Sequence, residues 1–248
     1  KFRKKVFSYD YVNAIADIEE LCSKKEELTP QLVNDIGKSY LYGSANNSEN
    51  AQFMHGLAQD DLLAKEAVYN AYFYAARLYD KDIKYPDKAC SEYLKAMETA
   101  GDDLSYDNAL WYFFNAKLKI SIQDALEAVK TYGSTIRDPN YYDDFFDTLS
   151  LRMLSRHVWF AYYQTASSID SIASKEVVAK YSYVTARLFQ TGLLKVDGVK
   201  SDEASKKFFE KALDSDTSIY YRILAAYRLN LGEEEIKNHF ALLRKDES

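Results

Sequence analysis

Glycine and proline are scarce in this chain, with 8 Gly and 3 Pro among 248 residues. In average usage the two together make up roughly 12% of residues. Sandwiches, barrels and phosphate-loop folds need turn glycines along the whole chain, so the scarcity argues against all three. Hydrophobic residues account for 47% and aromatic residues for 15% of the chain, which excludes a disordered protein and allows a sizeable core. A helix-rich globular or solenoid protein remains.

Positive charge is also in short supply, because 32 Lys and Arg stand against 38 Asp and Glu, for a net charge of −6. General affinity for nucleic acid is therefore not expected, since phosphate neutralisation needs a concentrated basic surface. The longest stretch without a charged side chain near the middle of the chain is 157–169. That stretch is shorter than the ~20 residues that a bilayer span requires. We predict no nucleic-acid partner and no transmembrane segment.

Catalytic and metal-binding signatures are missing as well. The two cysteines, Cys22 and Cys90, cannot form a Cys-rich zinc site; they are either small core residues or, in an oxidising compartment, a disulfide. The three histidines, His55, His157 and His239, lie far apart and lack the His-x-x-x-His or Glu-x-x-His spacing of metal sites. The sequence therefore predicts no metal, no cofactor and no catalytic residue.

What the chain does contain is a helical hydrophobic period, sustained almost throughout and broken only by short polar segments. Thr29-Pro30 provides a capping hydroxyl followed by Pro at the first helical position. Ser121 followed by Asp124 fits a capping box. Short loops make consecutive helices antiparallel neighbours, so the sequence predicts about twelve helices in antiparallel pairs.

The helices repeat a pattern of small and bulky residues that is typical of tetratricopeptide pairs. Small residues at fixed positions let the two helices of a pair approach closely, and an aromatic residue fills the remaining gap. The three clearest copies lie near 30–62, 69–100 and 179–214. Their pattern residues are Val33, Ile36, Gly37, Tyr40, Phe53, Gly56 and Leu57; Tyr72, Ala75, Ala76, Tyr79, Ala89, Tyr93, Ala96 and Met97; and Ser182, Thr185, Ala186, Phe189, Ser205, Phe209, Ala212 and Leu213.

One helix pair cannot bury its own apolar side, so pairs of this kind stack. We therefore predict an all-α superhelix, or solenoid, of stacked antiparallel helix pairs, tetratricopeptide-like, in a single continuous domain over 1–248. An irregular helical bundle is the alternative.

The repeat register also predicts a binding groove, because positions 2, 5, 9 and 12 of each first helix face the concave wall of such a superhelix. The groove residues that we select are Asn34, Lys38, Asn70, Phe73, Arg77, Tyr183 and Arg187. Position 9 is basic in all three copies, and a row of cations among amides and aromatics suits a carboxylate such as a peptide terminus. Alternatively, Arg77 and Arg187 pair with helix carboxylates across the stack.

Tyrosine is abundant, with 22 residues in the chain. A tyrosine can bury its ring and keep its hydroxyl solvated, which suits packing between many helix pairs. Aromatic rings also stack on sugars and anchor protein interfaces. The sequence leaves both roles open.

Three segments carry a resemblance to a known family. They are a helix with a paired Trp-Tyr at 107–112, the Arg-Asp-Pro-Asn-Tyr-Tyr-Asp-Asp run at 137–144, and the Tyr-Tyr step with a Leu-Ala-Ala run at 218–229. Over 65–232 the chain resembles the α-superhelical region that precedes the catalytic domain in soluble lytic murein transglycosylases. The Gly-Leu-Met-Gln run of that catalytic domain does not occur in this sequence, so no catalytic residue is carried over. The resemblance implies a periplasmic or cell-envelope location and a role beside peptidoglycan.

The expected function is a non-enzymatic scaffold that binds a peptide, protein or glycan partner. On the resemblance, it would be the superhelical part of a cell-envelope protein that acts on peptidoglycan. One alternative is a general tetratricopeptide adaptor, which could be cytoplasmic and would have no cell-wall role. Another is an enzyme whose site is buried in the helical core, which would need clustered polar groups with perturbed pKa values.

Overall fold

The structure, a computed structural model, describes residues 1–23, 28–82, 84–214 and 219–241, with 238–241 described by their backbone only. Every regular element within these ranges is helical, which confirms the all-α class. None of the described helices combines the length and the apolar character that crossing a membrane requires.

The chain divides into two compact units, Lys1–Arg137 and Asp138–Ser248. Unit 1 contains α1 (Phe2–Phe7), α2 (Tyr11–Ile15), α3 (Ile18–Cys22), α4 (Pro30–Gly43), α5 (Asn47–Ala58), α6 (Lys65–Asp80), α7 (Pro86–Thr99), α8 (Asp103–Ile120), α9 (Ile122–Tyr132) and a 3-10 turn at Gly133–Thr135. Unit 2 contains a 3-10 turn at Pro139–Tyr142, then α10 (Asp143–Ser155), α11 (Trp159–Ala166), α12 (Lys175–Gln190), α13 (Ser201–Leu213), α14 (Ile219–Arg228) and α15 (Glu233–Ala241). That the chain forms a single continuous domain over 1–248 stays a prediction. Two compact units within one chain can still unfold cooperatively as a single domain.

Two helices, α4 and α9, begin where the capping chemistry predicts. The Thr29 hydroxyl accepts a hydrogen bond from the Leu32 amide at 3.3 Å, with Pro30 in the first turn of α4. Ser121 accepts from the Asp124 amide at 2.9 Å at the start of α9. Each bond satisfies an amide that has no partner within its own helix.

In unit 1 the first helices of successive pairs stack side by side. The Asn70 amide on α6 donates to the Pro30 carbonyl on α4 at 3.0 Å, and the Tyr74 hydroxyl donates to Asn34 Oδ1 at 3.0 Å. Both bonds join residues 40 apart in sequence, so α4 and α6 run parallel in a constant register. Gly37 lies directly against the Tyr74 ring. This close approach joins successive pairs, whereas the small-residue pattern predicts close approach of the two helices within one pair.

Unit 2 repeats this arrangement, with α12 packed on both α13 and α14. The Ser205 hydroxyl on α13 donates to the Ala186 carbonyl at 3.0 Å, so two predicted small positions face each other. The Tyr162 and Tyr181 rings stack with centroids 4.8 Å apart, and the Tyr181 hydroxyl donates to the Phe146 carbonyl at 2.7 Å. Both tyrosines are fully buried, which shows the packing role that the sequence left open.

The two cysteines are thiols and are not joined to each other. Cys90 is buried on α7, and burial raises the pKa of its thiol to about 11. Cys22 is half-buried at the end of α3. The sequence left open whether Cys22 and Cys90 form a disulfide, and in the structure they do not.

Candidate functional site

In unit 1 the predicted groove residues lie on two neighbouring helices, α4 and α6. The two amides among them, Asn34 and Asn70, make the hydrogen bonds that hold these helices together. Both therefore have a structural role, whatever else they contact.

Phe73 lies in the aromatic core rather than on an open wall, with 6% of its surface exposed. Its ring stacks on Tyr69 at 5.7 Å and meets Tyr112 edge-on at 5.4 Å. Tyr93 contacts it from α7 at 6.2 Å. The ring supports the surface above it and offers little area of its own to a ligand.

Arg77 lies half-buried above this core. Its guanidinium carbon is 4.2 Å from the Tyr112 ring centroid and 5.8 Å from that of Phe73. These are cation–π distances. The sequence offered a carboxylate across the stack as an alternative partner, but no described carboxylate lies within salt-bridge distance of Arg77. Its nearest acidic neighbour on α6, Asp80, pairs instead with Lys119 at 2.5 Å.

Lys38 occupies the equivalent position of α4 and is also half-buried. The 40-residue register between α4 and α6 places it opposite Leu78, next to Arg77. In the described part of the chain Lys38 has no ion pair. Lys38 and Arg77 hold the same position in their two repeat copies, and we call the surface that these two cations form in unit 1 the cationic face.

In unit 2 the remaining groove residues, Tyr183 and Arg187, lie on α12. The Tyr183 ring is half-exposed and lies 5.6 Å from Phe209 and 5.8 Å from Tyr221. Arg187 Nη1 donates to Gln190 Oε1 at 2.9 Å, so its observed partner is an amide rather than a carboxylate. A single groove that joins these residues to the cationic face stays a prediction.

The structure contains one charged cluster that the sequence did not predict, formed by His55, Glu92 and Lys95. Glu92 on α7 is 5% exposed, and its two carboxylate oxygens meet His55 Nδ1 at 2.9 Å and Lys95 Nζ at 3.0 Å. Lys95 also lies over the Tyr72 ring at 5.4 Å. His55 and Glu92 are 37 residues apart, so no local pattern signals the pairing. The cluster ties α5 to α7 through a buried carboxylate with both oxygens bonded.

The described residues contain no group of three or more His, Cys, Asp or Glu side chains that could hold a metal ion. Among groups with perturbed pKa values, Tyr93 and Tyr181 are raised well above the usual value by burial. These hydroxyls stay protonated and form part of the packing.

Asp143 is the acid most relevant to the enzyme alternative. Desolvation raises its pKa, with smaller contributions from Asp147 and Asp144, against a lowering bond from Ser174. It borders an open surface cavity of about 390 Å³ that Ser174 and Glu176 also line.

Comparison of the chain with protein-family models, curated proteins and solved structures found no match. The resemblance to lytic transglycosylase superhelices consequently stands on the sequence segments alone.

Proposed function

We propose that this chain is a non-enzymatic helical-repeat scaffold that binds a peptide or protein partner, with the cationic face of unit 1 as its contact for a carboxylate. The observation that carries the proposal is the Arg77 guanidinium, which lies over Tyr112 at 4.2 Å without a described carboxylate partner. A stacked guanidinium keeps its edge N–H groups available, and those groups match a carboxylate in bidentate fashion. Because the ring already orients the side chain, binding would cost less conformational entropy.

The charge pattern of unit 1 adds support. Some basic residues there pair with acids, as Arg3 does with Asp35 at 3.2 Å and Lys5 with Asp17 at 2.7 Å. Lys38 and Arg77 have no described acidic partner of this kind, while the whole chain carries a net charge of −6. A local positive surface on an acidic protein favours an acidic segment or a free C-terminus over a basic partner.

The test uses a peptide library with free C-terminal carboxylates and the same library amidated. We expect binding to the free-acid library, a loss of about tenfold or more on amidation, and a similar loss in Arg77→Glu and Lys38→Glu. A hydrogen bond to a charged group is worth about 1.5–3 kcal/mol, and each 1.4 kcal/mol is tenfold in affinity. Lys130→Glu is the matched control, because Lys130 is exposed on α9 and undergoes the same charge change away from this face.

Binding that survives both reversals, or that is equal for the acid and amidated libraries, would contradict the role of the cationic face. Equal losses in the Lys130→Glu control would show that net charge, and not the site, controls binding.

A finer proposal concerns the cell envelope. Tyr183 presents a half-exposed ring on the same helix as the hydrogen-bonded pair of Arg187 and Gln190. A ring beside planar hydrogen-bonding groups is the chemistry that contacts a sugar, and the resemblance to lytic transglycosylase superhelices suggests peptidoglycan as the glycan and the periplasm as the location. The general adaptor, without a cell-wall role, is the alternative.

Co-sedimentation with purified peptidoglycan sacculi separates these two proposals. The envelope proposal expects the wild-type chain to sediment with sacculi and Tyr183→Ala to lose most of that retention. Phe160→Ala is the control, because Phe160 is an exposed ring on α11, outside the predicted groove. Retention that is absent in the wild type, or equal in Tyr183→Ala, favours the adaptor.

A further inference from the structure

Trp111 presents a half-exposed indole on α8, beside the ring that carries Arg77. Its ring centroid lies 4.8 Å from that of Tyr112, with the two ring planes at 86°. Among the described residues its indole N–H has no hydrogen-bond partner, and this nitrogen is not fully buried. The indole therefore keeps both apolar area and a hydrogen-bond donor accessible to a ligand.

The Tyr112 ring holds this indole and the Arg77 guanidinium in a fixed relation. Tyr112 stacks on the fully buried Tyr93 at 5.9 Å, and the Phe73 ring meets it edge-on at 5.4 Å, so close packing limits its movement. The guanidinium carbon lies 4.2 Å from the Tyr112 centroid. Because the guanidinium and the indole contact the same ring, the sum of their two distances sets an upper limit of about 9 Å on the separation of their centres.

A separation this short fits a single amino-acid residue of a ligand. A carboxylate oxygen bonded to a guanidinium lies ~2.7–2.9 Å from its nitrogen, and a ring packed against the indole has its centroid ~4.5–7 Å away. The span left between the carboxylate and the packed side chain is about that of one residue, ~3.3–3.6 Å. Only the last residue of a peptide carries a carboxylate and a large apolar side chain together, so the spacing favours a free C-terminus over an internal acidic segment.

We propose that Trp111 selects the side chain of the partner's C-terminal residue, so that the ligand is a polypeptide ending in an aromatic or large aliphatic residue with a free carboxylate. This inference rests on the proposed carboxylate site of the cationic face and adds the class of residue that fills it. Arg77 binds the carboxylate, and the Trp111 indole packs against the side chain. A basic last residue is disfavoured, because it brings a like charge to the cationic face.

Fluorescence anisotropy with labelled Gly/Ser hexapeptides that differ only in the last residue tests the selection. For the whole chain, free-acid peptides ending in Phe or Leu should bind about tenfold or more tightly than the one ending in Ser, and the one ending in Lys should bind most weakly. Amidated peptides should lose this preference, because without the carboxylate nothing fixes the last residue beside the indole.

Variants at the two tryptophans of the chain locate the effect. Trp111→Ala should bring the Phe-ended and Ser-ended peptides to within about twofold of each other in affinity, whereas Trp111→Phe keeps a ring and should keep most of the preference. Trp159→Ala is the matched control, because this indole is also half-exposed but lies in unit 2, stacked on His157 at 5.0 Å. In a Trp159→Phe chain Trp111 is the one remaining indole, and the Phe-ended free acid should shift its emission to shorter wavelength by excluding water.

The outcomes separate this inference from the function on which it rests. Binding that depends on the free carboxylate and on Arg77, but is equal for every last residue or keeps its preference in Trp111→Ala, overturns the role of Trp111 and leaves the carboxylate site standing. An emission that the Phe-ended peptide does not shift also overturns that role. Absence of binding, or binding indifferent to amidation and to Arg77→Glu, overturns the carboxylate site and this inference together. Circular dichroism verifies the fold of each variant, and the comparison of last residues in the wild type needs no variant.

Discussion

Raising the pH above 10 should unfold the protein within about one to two pH units, because several tyrosines are held protonated by burial. Burial is the largest cause of the raised pKa of Tyr74, Tyr93, Tyr162 and Tyr181, whose ordinary value is 10.0. Burial also raises the pKa of Tyr40 to about 12.

The direction of the effect follows from proton linkage. Below pH 10 these tyrosines are protonated in both the folded and the unfolded chain, so their stabilising contribution is fully present. Above pH 10 the unfolded chain releases protons that the folded chain retains, and each tyrosine lowers the free energy of unfolding by about 1.4 kcal/mol per pH unit. Four tyrosines together remove about 5.6 kcal/mol per pH unit, against a total stability of about 5–15 kcal/mol for a typical protein.

The measurement follows helix content by circular dichroism and tyrosinate by its near-ultraviolet absorbance over the same pH series. We expect the buried tyrosines to ionise in the same step in which the helices are lost. Gradual ionisation of all tyrosines near pH 10 with the helices intact would contradict the prediction.

Two variants separate ionisation from hydrogen bonding. The Tyr93 hydroxyl is buried without a described hydrogen-bond partner, so Tyr93→Phe should keep its stability at neutral pH and move the alkaline midpoint upward. Tyr181→Phe loses the bond to the Phe146 carbonyl and should be less stable by about 1 kcal/mol at neutral pH.

Gly37→Ala should destabilise the protein by about 3 kcal/mol, a large effect for the addition of one methyl group. A Cβ at Gly37 would be 2.7 Å from Tyr74 Cβ, and closer still to two carbons of its ring. The ring cannot move aside easily, since Tyr74 is buried and its hydroxyl is bonded to Asn34. The clash therefore separates α4 from α6. Urea denaturation followed by helix content measures the loss.

Gly56→Ala is the matched control, because a Cβ there meets nothing within 4 Å on α5. The same substitution should stabilise the protein by about 0.5–1 kcal/mol, since Ala is the better helix former. If both variants lost the same stability, the close approach of Tyr74 to Gly37 would not be what makes position 37 sensitive.

The sequence predicted the features that depend on neighbouring residues. The caps at Thr29 and Ser121 are local chemistry, and the structure has both. The small positions at Gly37 and Ala186 were also predicted, because a helical period identifies which side of a helix approaches its neighbour.

The candidate site was harder to predict. Hydrophobic periodicity identifies which side of a helix a residue lies on, but it does not show which other residues pack over that side. Phe73 was expected on the wall of a groove, yet Tyr112 covers it from α8. Arg77 meets that same ring, which lies 35 residues further along the sequence. His55 and Glu92 meet only after α5, α6 and α7 have packed, so their contact follows from tertiary structure alone.

The constant register between stacked helices has a consequence for how the chain folds. The bonds from α6 to α4 close chain segments of 40 residues, and the Lys119–Asp80 pair closes one of 39. Closing a flexible segment of that length costs about 3 kcal/mol of entropy, and the cost is similar at each step. Folding in unit 1 can therefore start at one helix pair and extend to its neighbour, in the manner of a zipper. Contacts of such limited sequence separation favour fast folding over the slow search that distant strand pairing imposes.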